Sequence, residues 1–225
     1  MVSDKNQVAI IDYGMGNLLS IQRACEVTLL KPVITSSKSI ILNSDALILP
    51  GVGAFGEAMH NLQELDLINP IREFISGGKP FMGICLGMQL LMSASDEFGD
   101  HKGLDIIEGC VSRFPKQNNG EKIKVPHVGW SAISRPLKER EDFWDDSPLK
   151  KIPNNEFMYF THSYYAVPAN AKVITSITEY KGTTFCSSLF WKNIFACQFH
   201  PEKSAEKGLE IYKDFISSIR RDAGQ

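Results

Sequence analysis

The strongest constraint on the fold is a repeated order of apolar strand, glycine-containing turn and helical segment in the first part of the chain. The apolar runs 8–11, 46–49 and 81–84 are each followed by such a turn and then by apolar residues at helical spacing. Strands that are apolar throughout, without alternation, are buried on both faces. The pattern therefore predicts an α/β fold, in which helices cover both faces of a mainly parallel sheet.

The rest of the chain has shorter β-rich runs in place of the alternating strands and helices. Shorter β-rich runs at 110–114, 157–165, 172–178, 183–189 and 194–199 predict antiparallel additions to the same core. Apolar spacing predicts one helix over 57–76, another beginning near Leu86, and a final helix over 204–221. Residues 135–153 carry the weakest pattern, and we expect a surface loop there. No linker interrupts the sequence, so we expect one domain spanning 1–225.

Composition narrows the classes of function. With 225 residues, 43% of them hydrophobic, the chain can bury a hydrophobic core without disulfide bonds or a structural metal. The 24 basic and 26 acidic residues form no long run of one sign, which argues against nucleic acid or anionic lipid as a partner. No apolar stretch is long enough to span a membrane and the N-terminus lacks signal-peptide features, so we expect no membrane association and a cytoplasmic location.

The five cysteines are odd in number, scattered and never in a CxxC spacing. This pattern argues against a disulfide framework and against a structural zinc site, and we expect no metal. Each cysteine must therefore be judged by its own surroundings.

Cys85 stands between Gly83 and Gly87, at the end of an apolar strand and the start of a predicted helix. This is the pattern of a nucleophile elbow, a sharp turn whose neighbours must be small. Free N–H groups at the helix start lower a thiol pKa and can bind an oxyanion. The alternative is a small buried core cysteine, the commonest fate of a free thiol.

His200 and Glu202 follow the apolar run 194–199, with Pro201 between them. Parallel-sheet enzymes place chemistry at strand ends. His200 could take the Cys85 proton and Glu202 could orient the imidazole, as in a catalytic triad. Taken singly, the two residues are more often a structural histidine and a surface carboxylate; their combination with an elbow cysteine favours catalysis.

At this point the sequence resembles the class I, triad-type glutamine amidotransferases, and most closely the branch that forms glutaminase subunits of imidazole glycerol phosphate synthase. Six ordered motifs carry the resemblance over nearly the whole chain: IDYGMGN (11–17), LPGVGAFGEAM (49–59), GICLGMQ (83–89), PHVGW (126–130), YFTHSY (159–164) and QFHPEKS (198–204). The resemblance implies a single-domain, three-layer fold with a mixed, mainly parallel sheet flanked by helices.

The family's functional residues carry over to matching positions here. The catalytic triad is Cys85, His200 and Glu202; the oxyanion hole uses Val52, Gly53 and Leu86; glutamine is bound by Gly53, Gln89, Glu97, Ser163 and Tyr164; Trp130 and Lys203 face the partner. The resemblance also implies a peptide flip near Val52 or Gly53 before the oxyanion hole is complete. It implies no cofactor.

The implied function is hydrolysis of glutamine to glutamate and ammonia. The ammonia passes to a (β/α)8 barrel cyclase, which makes imidazole glycerol phosphate and an aminoimidazole carboxamide ribotide in histidine biosynthesis. Residues 97–104 also resemble a variant in paralogues that serve surface-polysaccharide sugar amidination, so the same module feeding another synthase stays an alternative. A non-catalytic regulatory subunit and an unrelated hydrolase or cysteine peptidase are the remaining ones.

Overall fold

A computed structural model describes residues 6–118, 121–136 and 141–219. The helices are α1 (Leu18–Val27), α2 (Lys38–Asn43), α3 (Phe55–Glu64), α4 (Ile68–Ser76), α5 (Leu86–Gln89) and α6 (Ala205–Ile219). The strands are β1 (Gln7–Ile11), β2 (Lys31–Thr35), β3 (Ala46–Leu49), β4 (Phe81–Ile84), β5 (Ala94–Ser95), β6 (His101–Lys102), β7 (Gly109–Arg113), β8 (Gln117–Asn118), β9 (Glu121–Lys122), β10 (His127–Ile133), β11 (Glu156–His162), β12 (Tyr164–Pro168), β13 (Ile174–Tyr180), β14 (Thr183–Trp191) and β15 (Ile194–Cys197). Short 3₁₀ segments occur at Glu141–Trp144, Ala171–Val173 and Pro201–Lys203.

A seven-stranded sheet forms the middle layer, in the order β13-β14-β15-β4-β3-β1-β2. The five strands from β15 to β2 are parallel, and β14 and β13 extend the sheet antiparallel at one edge. Adjacent residues of a strand point to opposite faces. Accordingly, Ile10 packs with α1 and α6 on one face, while Ile11 packs with α3 and α4 on the other. The predicted α/β class, with its mixed sheet between helical layers, is confirmed.

Three smaller sheets accompany this sheet in the described part of the chain: an antiparallel β8–β9 pair and two larger units, of which the four-stranded one is mixed because β5 and β7 are parallel. Strands β12-β7-β5-β6 form a four-stranded sheet, and β10 pairs with β11 in a two-stranded ribbon. The run 157–165, expected as one strand, is two strands that belong to these different units. Before Ser163 the chain pairs with β10, and after it the chain pairs with β7. Ser163 therefore lies at a junction between two sheets.

The expectation of one helix over 57–76 was wrong, whereas the helices expected near Leu86 and from about 204 are present. The segment 57–76 is two helices, because the chain turns at 65–67, where Asp66 has a φ of 52°. Pro70 follows in the first turn of α4, a position that tolerates proline because the N–H is not needed there. The helix after Cys85 is a single turn. The final helix begins at Ala205, and its expected end at 221 lies outside the described residues.

The segment 135–153 is not a simple surface loop. Trp144 is 1% exposed and its indole N–H donates to the Thr175 carbonyl at 2.7 Å, while Leu149 and Ile152 are also buried. These apolar residues are few and irregularly spaced, so they produce no periodic signal. Residues 137–140 lie outside the described part of the chain.

Candidate active site

Cys85 lies at a sharp turn between β4 and α5, as the elbow pattern predicted. Its backbone angles are φ 55° and ψ −109°, a strained combination for a residue with a side chain. A Cβ on Gly87 would overlap the Leu49 carbonyl oxygen, and one on Gly83 would lie 2.9 Å from the Gly87 oxygen. The two glycines are therefore required by close backbone packing around the turn.

The sheet order brings His200 to Cys85. Strands β4 and β15 are neighbours and run parallel, so their carboxyl ends lie side by side. The Cys85 N–H donates to the Cys197 carbonyl at 2.8 Å, which joins the two strand ends directly. His200 follows β15 in extended conformation, the conformation that Pro201 favours in the residue before it.

Glu202 accepts a hydrogen bond from His200 Nδ1 at 2.8 Å, and both side chains are buried. This bond fixes the ring and leaves Nε2, which has no other hydrogen-bond partner among the described residues, for proton exchange with the sulfur. Burial lowers the pKa of His200, but the charge and hydrogen bonding of Cys85, followed by those of Glu202, outweigh it and raise the pKa to about 10. The raised pKa keeps the His200 imidazole protonated at pH 7.

A pocket of about 310 Å³ opens beside Cys85. Its lining includes the predicted oxyanion residues Val52, Gly53 and Leu86 and all the predicted glutamine contacts, namely Gly53, Gln89, Glu97, Ser163 and Tyr164. Gly53 has a φ of 108°, in the region that favours glycine. The structure thus brings together residues that are distant in sequence, and their individual roles remain predictions.

Glu97 connects the pocket to the segment that carries the predicted oxyanion residues. Its Oε2 accepts the Phe55 N–H at 2.7 Å, at the first residue of α3. Residues 50–54 immediately precede this helix. The carboxylate therefore lies between the pocket and the helix that follows residues 50–54.

Sequence reasoning missed four residues at the pocket or the thiol. Pro126, Thr161 and His162 line the pocket, and the Gln198 Nε2 lies 3.5 Å from the Cys85 sulfur. All four lie in motifs that the resemblance had identified, PHVGW, YFTHSY and QFHPEKS, but no role was predicted for them. Gln198 offered no separate signal, because a single glutamine before an aromatic residue has no distinctive spacing.

His162 begins a buried polar chain behind the pocket. Its Nδ1 contacts the Tyr164 carbonyl at 2.8 Å, and its Nε2 lies 3.2 Å from His127 Nδ1. His127 Nε2 contacts Ser131 Oγ at 2.9 Å. Burial lowers the pKa of His127 to about 4 and that of His162 to about 3, so both rings are neutral at pH 7.

The predicted partner residues lie on the outer surface near the same ribbon. Trp130 is 51% exposed and packs edge-on against Tyr159, with ring centroids 6.1 Å apart. The Lys203 Nζ lies 5.9 Å from the Tyr159 ring centroid. The His200 N–H donates to the Tyr159 carbonyl at 2.8 Å, so this surface adjoins the candidate base.

The described residues contain neither a candidate metal site nor a candidate membrane span. Among residues 6–118, 121–136 and 141–219, no group of three or more His, Cys, Asp or Glu side chains could hold a metal ion. No helix in that part of the chain is long and apolar enough to cross a membrane.

Comparison with known proteins gives a consistent result. Residues 9–219 match the family model described as glutamine amidotransferase class-I. The imidazole glycerol phosphate synthase subunit HisH 1 of Legionella pneumophila strain Paris is 44% identical over 212 residues, 94% of this chain and 99% of the relative. The subunit HisH of Geobacter sulfurreducens is 43% identical over 211 residues, 93% of this chain and 97% of the relative.

Solved structures resemble the fold at much lower identity. A structure of PurLQS from Thermotoga maritima aligns with a TM-score of 0.67 and 17% identity, covering 97% of this chain and 99% of that one. A glutamine amidotransferase from the same organism aligns with a TM-score of 0.60 and 16% identity, covering 97% and 86%. At these identities the likeness concerns the fold alone.

Proposed function

Because the chain belongs to the glutamine amidotransferase class-I family and is an enzyme of that type, we propose that it is the glutaminase subunit of an imidazole glycerol phosphate synthase. It hydrolyses glutamine to glutamate and ammonia and passes the ammonia to a (β/α)8 barrel cyclase of histidine biosynthesis. The observation that carries the proposal is the Cys85, His200 and Glu202 arrangement beside a pocket of about 310 Å³. A single amidotransferase domain over residues 1–225 and a cytoplasmic location belong to the same proposal.

The proposed reaction has two stages. The Cys85 thiolate attacks the side-chain amide carbon of glutamine, and the imidazolium of His200 gives its proton to the nitrogen that leaves as ammonia. Water then attacks the thioester while His200 takes a proton from it, and the C–S bond breaks to release glutamate and the thiolate. Glu202 keeps the imidazole oriented and stabilises its charge in both stages.

The oxyanion of each tetrahedral intermediate requires hydrogen-bond donors. In the proposal these are the Leu86 N–H, directly after the nucleophile, and an N–H at Val52 or Gly53 on the opposite wall of the pocket. Val52 is 41% exposed, so its peptide group lies where a bound partner could change its conformation. Since one donor contributes roughly 10² to 10³ in rate, a change of this peptide would switch the enzyme.

Polar groups in the pocket suit the amino acid end of glutamine. One oxygen of the Glu97 carboxylate is occupied by the Phe55 N–H, which leaves the other oxygen for the substrate's ammonium group. Ser163 and Tyr164 lie at the junction of β11 and β12, on the same pocket wall, and are proposed to contact the α-carboxylate. Gln89 completes this set from the first turn after Cys85.

The proposed docking face is the outer side of the β10–β11 ribbon. The register pairs Val128 with Thr161 and Trp130 with Tyr159, so these four side chains share one face. Val128 and Trp130 are 56% and 51% exposed, whereas Thr161 lines the active-site pocket. An exposed aromatic surface that continues into the pocket suits a partner that receives ammonia from it. Lys203 contributes a positive charge at the rim.

The proposal is tested by measuring ammonia release from glutamine. The chain is assayed alone, with the barrel cyclase of the same genome, and with that cyclase plus its nucleotide ligand; Cys85→Ala serves as the inactive control. We expect stimulation of at least about 10²-fold in the complete mixture, the contribution of one oxyanion donor. No stimulation, with Cys85 still labelled by a glutamine analogue, would assign the chain to another synthase, such as a sugar-amidinating enzyme. No labelling would indicate a non-catalytic subunit.

A further inference from the structure

Three side-chain amide contacts in the core form a chain that ends at the nucleophile. Gln89 Nε2 lies 2.8 Å from the Tyr164 carbonyl oxygen and 3.0 Å from Gln198 Oε1. Gln198 Nε2 then lies 3.5 Å from the Cys85 sulfur. Gln89 is 4% exposed and Gln198 0%, so water does not compete for these groups.

The first contact determines the direction of all the others. A backbone carbonyl can only accept, so the Gln89 atom that faces Tyr164 must be the NH₂ nitrogen. Its second N–H points at Gln198, so the atom of Gln198 that it meets must be the oxygen. The nitrogen of Gln198 therefore faces the sulfur, and the opposite amide orientation would place two nitrogens together.

We propose that Gln198 is a further catalytic residue of the glutaminase reaction, whose side-chain N–H donates a hydrogen bond to the Cys85 thiolate, and that Gln89 is the positioning residue that orients it. The inference rests on the proposed function, because it assigns a role in that reaction. It concerns the charge state of the nucleophile rather than the binding of glutamine.

The surroundings of Cys85 explain why such a donor is needed. The residue is 5% exposed, so water solvates its charge poorly. The helix that follows is a single turn, which makes its dipole small. The Thr161 carbonyl, 3.9 Å from the sulfur, is an acceptor and stabilises only the protonated thiol. A hydrogen bond to the charged form shifts the balance towards the thiolate.

Among the described residues, the titratable groups whose pKa values are shifted by Cys85 include His200, Tyr13 and Cys197. Burial raises the pKa values of the Tyr13 hydroxyl and the Cys197 thiol, so both groups are neutral at pH 7. His200 is then the cation that balances the thiolate, and it must give up a proton during the reaction. Gln198 keeps its N–H throughout, so it stabilises the thiolate both before attack and when sulfur leaves the thioester.

The amide chain also restricts how Gln89 meets the substrate. Both of its N–H groups are used, one by Tyr164 and one by Gln198. Only its oxygen remains, so Gln89 accepts a hydrogen bond from glutamine rather than donating to the α-carboxylate. Gln89 thereby connects the pocket wall to the nucleophile.

The experiment measures how fast iodoacetamide alkylates Cys85 between pH 5 and 9 in the full chain. Gln198→Met removes the donor with little change in volume, and Gln198→Glu retains an acceptor for Gln89 while placing a like charge beside the sulfur. We expect the pH of half-maximal alkylation to rise by about 0.5 to 1 unit in Gln198→Met and by more in Gln198→Glu. Glutaminase kcat should fall roughly 10-fold with little change in KM. Gln22→Met, which removes only a side-chain hydrogen bond to Glu26 within α1, is the matched control and should behave as wild type.

An unchanged alkylation profile in a Gln198→Met protein with wild-type melting behaviour would overturn the inference. If that variant does not fold, Gln198→Glu provides the second test, because it also lacks the N–H donor; a profile identical to wild type would again overturn the inference. Alkylation requires neither glutamine nor a partner. A shifted profile in a chain that releases no ammonia would therefore support the amide contact while contradicting the proposed function.

Discussion

The β4–β15 strand ends and the β10–β11 ribbon both border the pocket beside Cys85, and they differ in how far their side chains are exposed to water. At the strand ends, Cys85, His200 and Glu202 are buried, and a 2.8 Å hydrogen bond joins His200 to Glu202. On the outer face of the ribbon, Val128 and Trp130 are more than half exposed. Charges act strongly where water is excluded, whereas an exposed aromatic surface gains free energy only when a partner covers it. The first region suits chemistry and the second suits docking.

The largest effect should come from the buried region. Replacing Glu202 with Gln retains the shape but removes the charge that orients and stabilises the His200 imidazolium. By analogy with other triads, we expect kcat to fall about 10²- to 10⁴-fold, with KM nearly unchanged, in steady-state ammonia release. The control is Glu206→Gln, an exposed carboxylate in the first turn of α6, which should retain full activity. Equal losses in both variants would exclude a special role for Glu202.

A smaller and different effect should come from the exposed face. Trp130→Ala removes an exposed aromatic side chain, so we expect binding to the cyclase to weaken by roughly 30-fold, as for an interface hot spot. The glutaminase activity of the free chain should not change. Isothermal titration calorimetry measures the affinity, and Leu29→Ala, an 85% exposed residue after α1, is the control. Wild-type affinity in Trp130→Ala would remove this face from the proposed interface.

The smallest effect should come from the buried histidine pair of the ribbon itself, His127 on β10 and His162 on β11. The pKa values of His127 and His162 are lowered from 6.5 to about 4 and about 3 by burial. Each therefore contributes stability that is complete above pH 6.5 and is lost as the pH falls towards 4 and 3. His200 has the opposite sign: its raised pKa contributes stability below pH 6.5, which is lost as the pH rises through about 10.

Denaturant unfolding at pH 7.5 and pH 5.5 separates the contribution of His127 to the free energy of unfolding from that of His200. Relative to His127→Gln, the wild-type chain should lose about 1 kcal/mol more unfolding free energy on acidification, the contribution of one neutral buried histidine. The comparison cancels the opposing contribution of His200. An identical pH dependence in both proteins would mean that His127 is not held neutral by burial.

Much of this architecture could be predicted from the sequence. Continuous apolar runs indicated a parallel sheet, and Gly83 and Gly87 marked the elbow because close backbone packing excludes a Cβ at either position. Pro201 favoured an extended His200 locally. These predictions depend on contacts within a few residues or on burial of whole strands, and both leave a periodic or compositional trace.

Other features left no such trace. The burial of Trp144 depends on contact with the distant Thr175, and the local pattern indicated a surface loop instead. The break at Asp66 is a local turn, in which the Leu67 N–H donates to the Leu62 carbonyl, and the apolar spacing on both sides indicated a continuous helix. The proposed hydrogen bond from Gln198 to the sulfur could not be predicted from the sequence either, because it depends on the contact by which Tyr164 orients the amide of Gln89. Such roles arise from hydrogen-bond direction, which sequence spacing does not record.

The sequence by itself therefore determined the α/β class and the alternation of strands with helices in the first part of the chain, because backbone sterics and apolar periodicity act along the chain. The elbow at Cys85 and the pairing of His200 with Glu202 were predicted on the same local grounds. Only the tertiary structure decided that β4 and β15 are neighbours, that Ser163 lies between two sheets, and that Gln198 faces the thiol. Strand adjacency and side-chain amide orientation are set by long-range pairing, in which residues far apart in sequence must satisfy one another's hydrogen bonds.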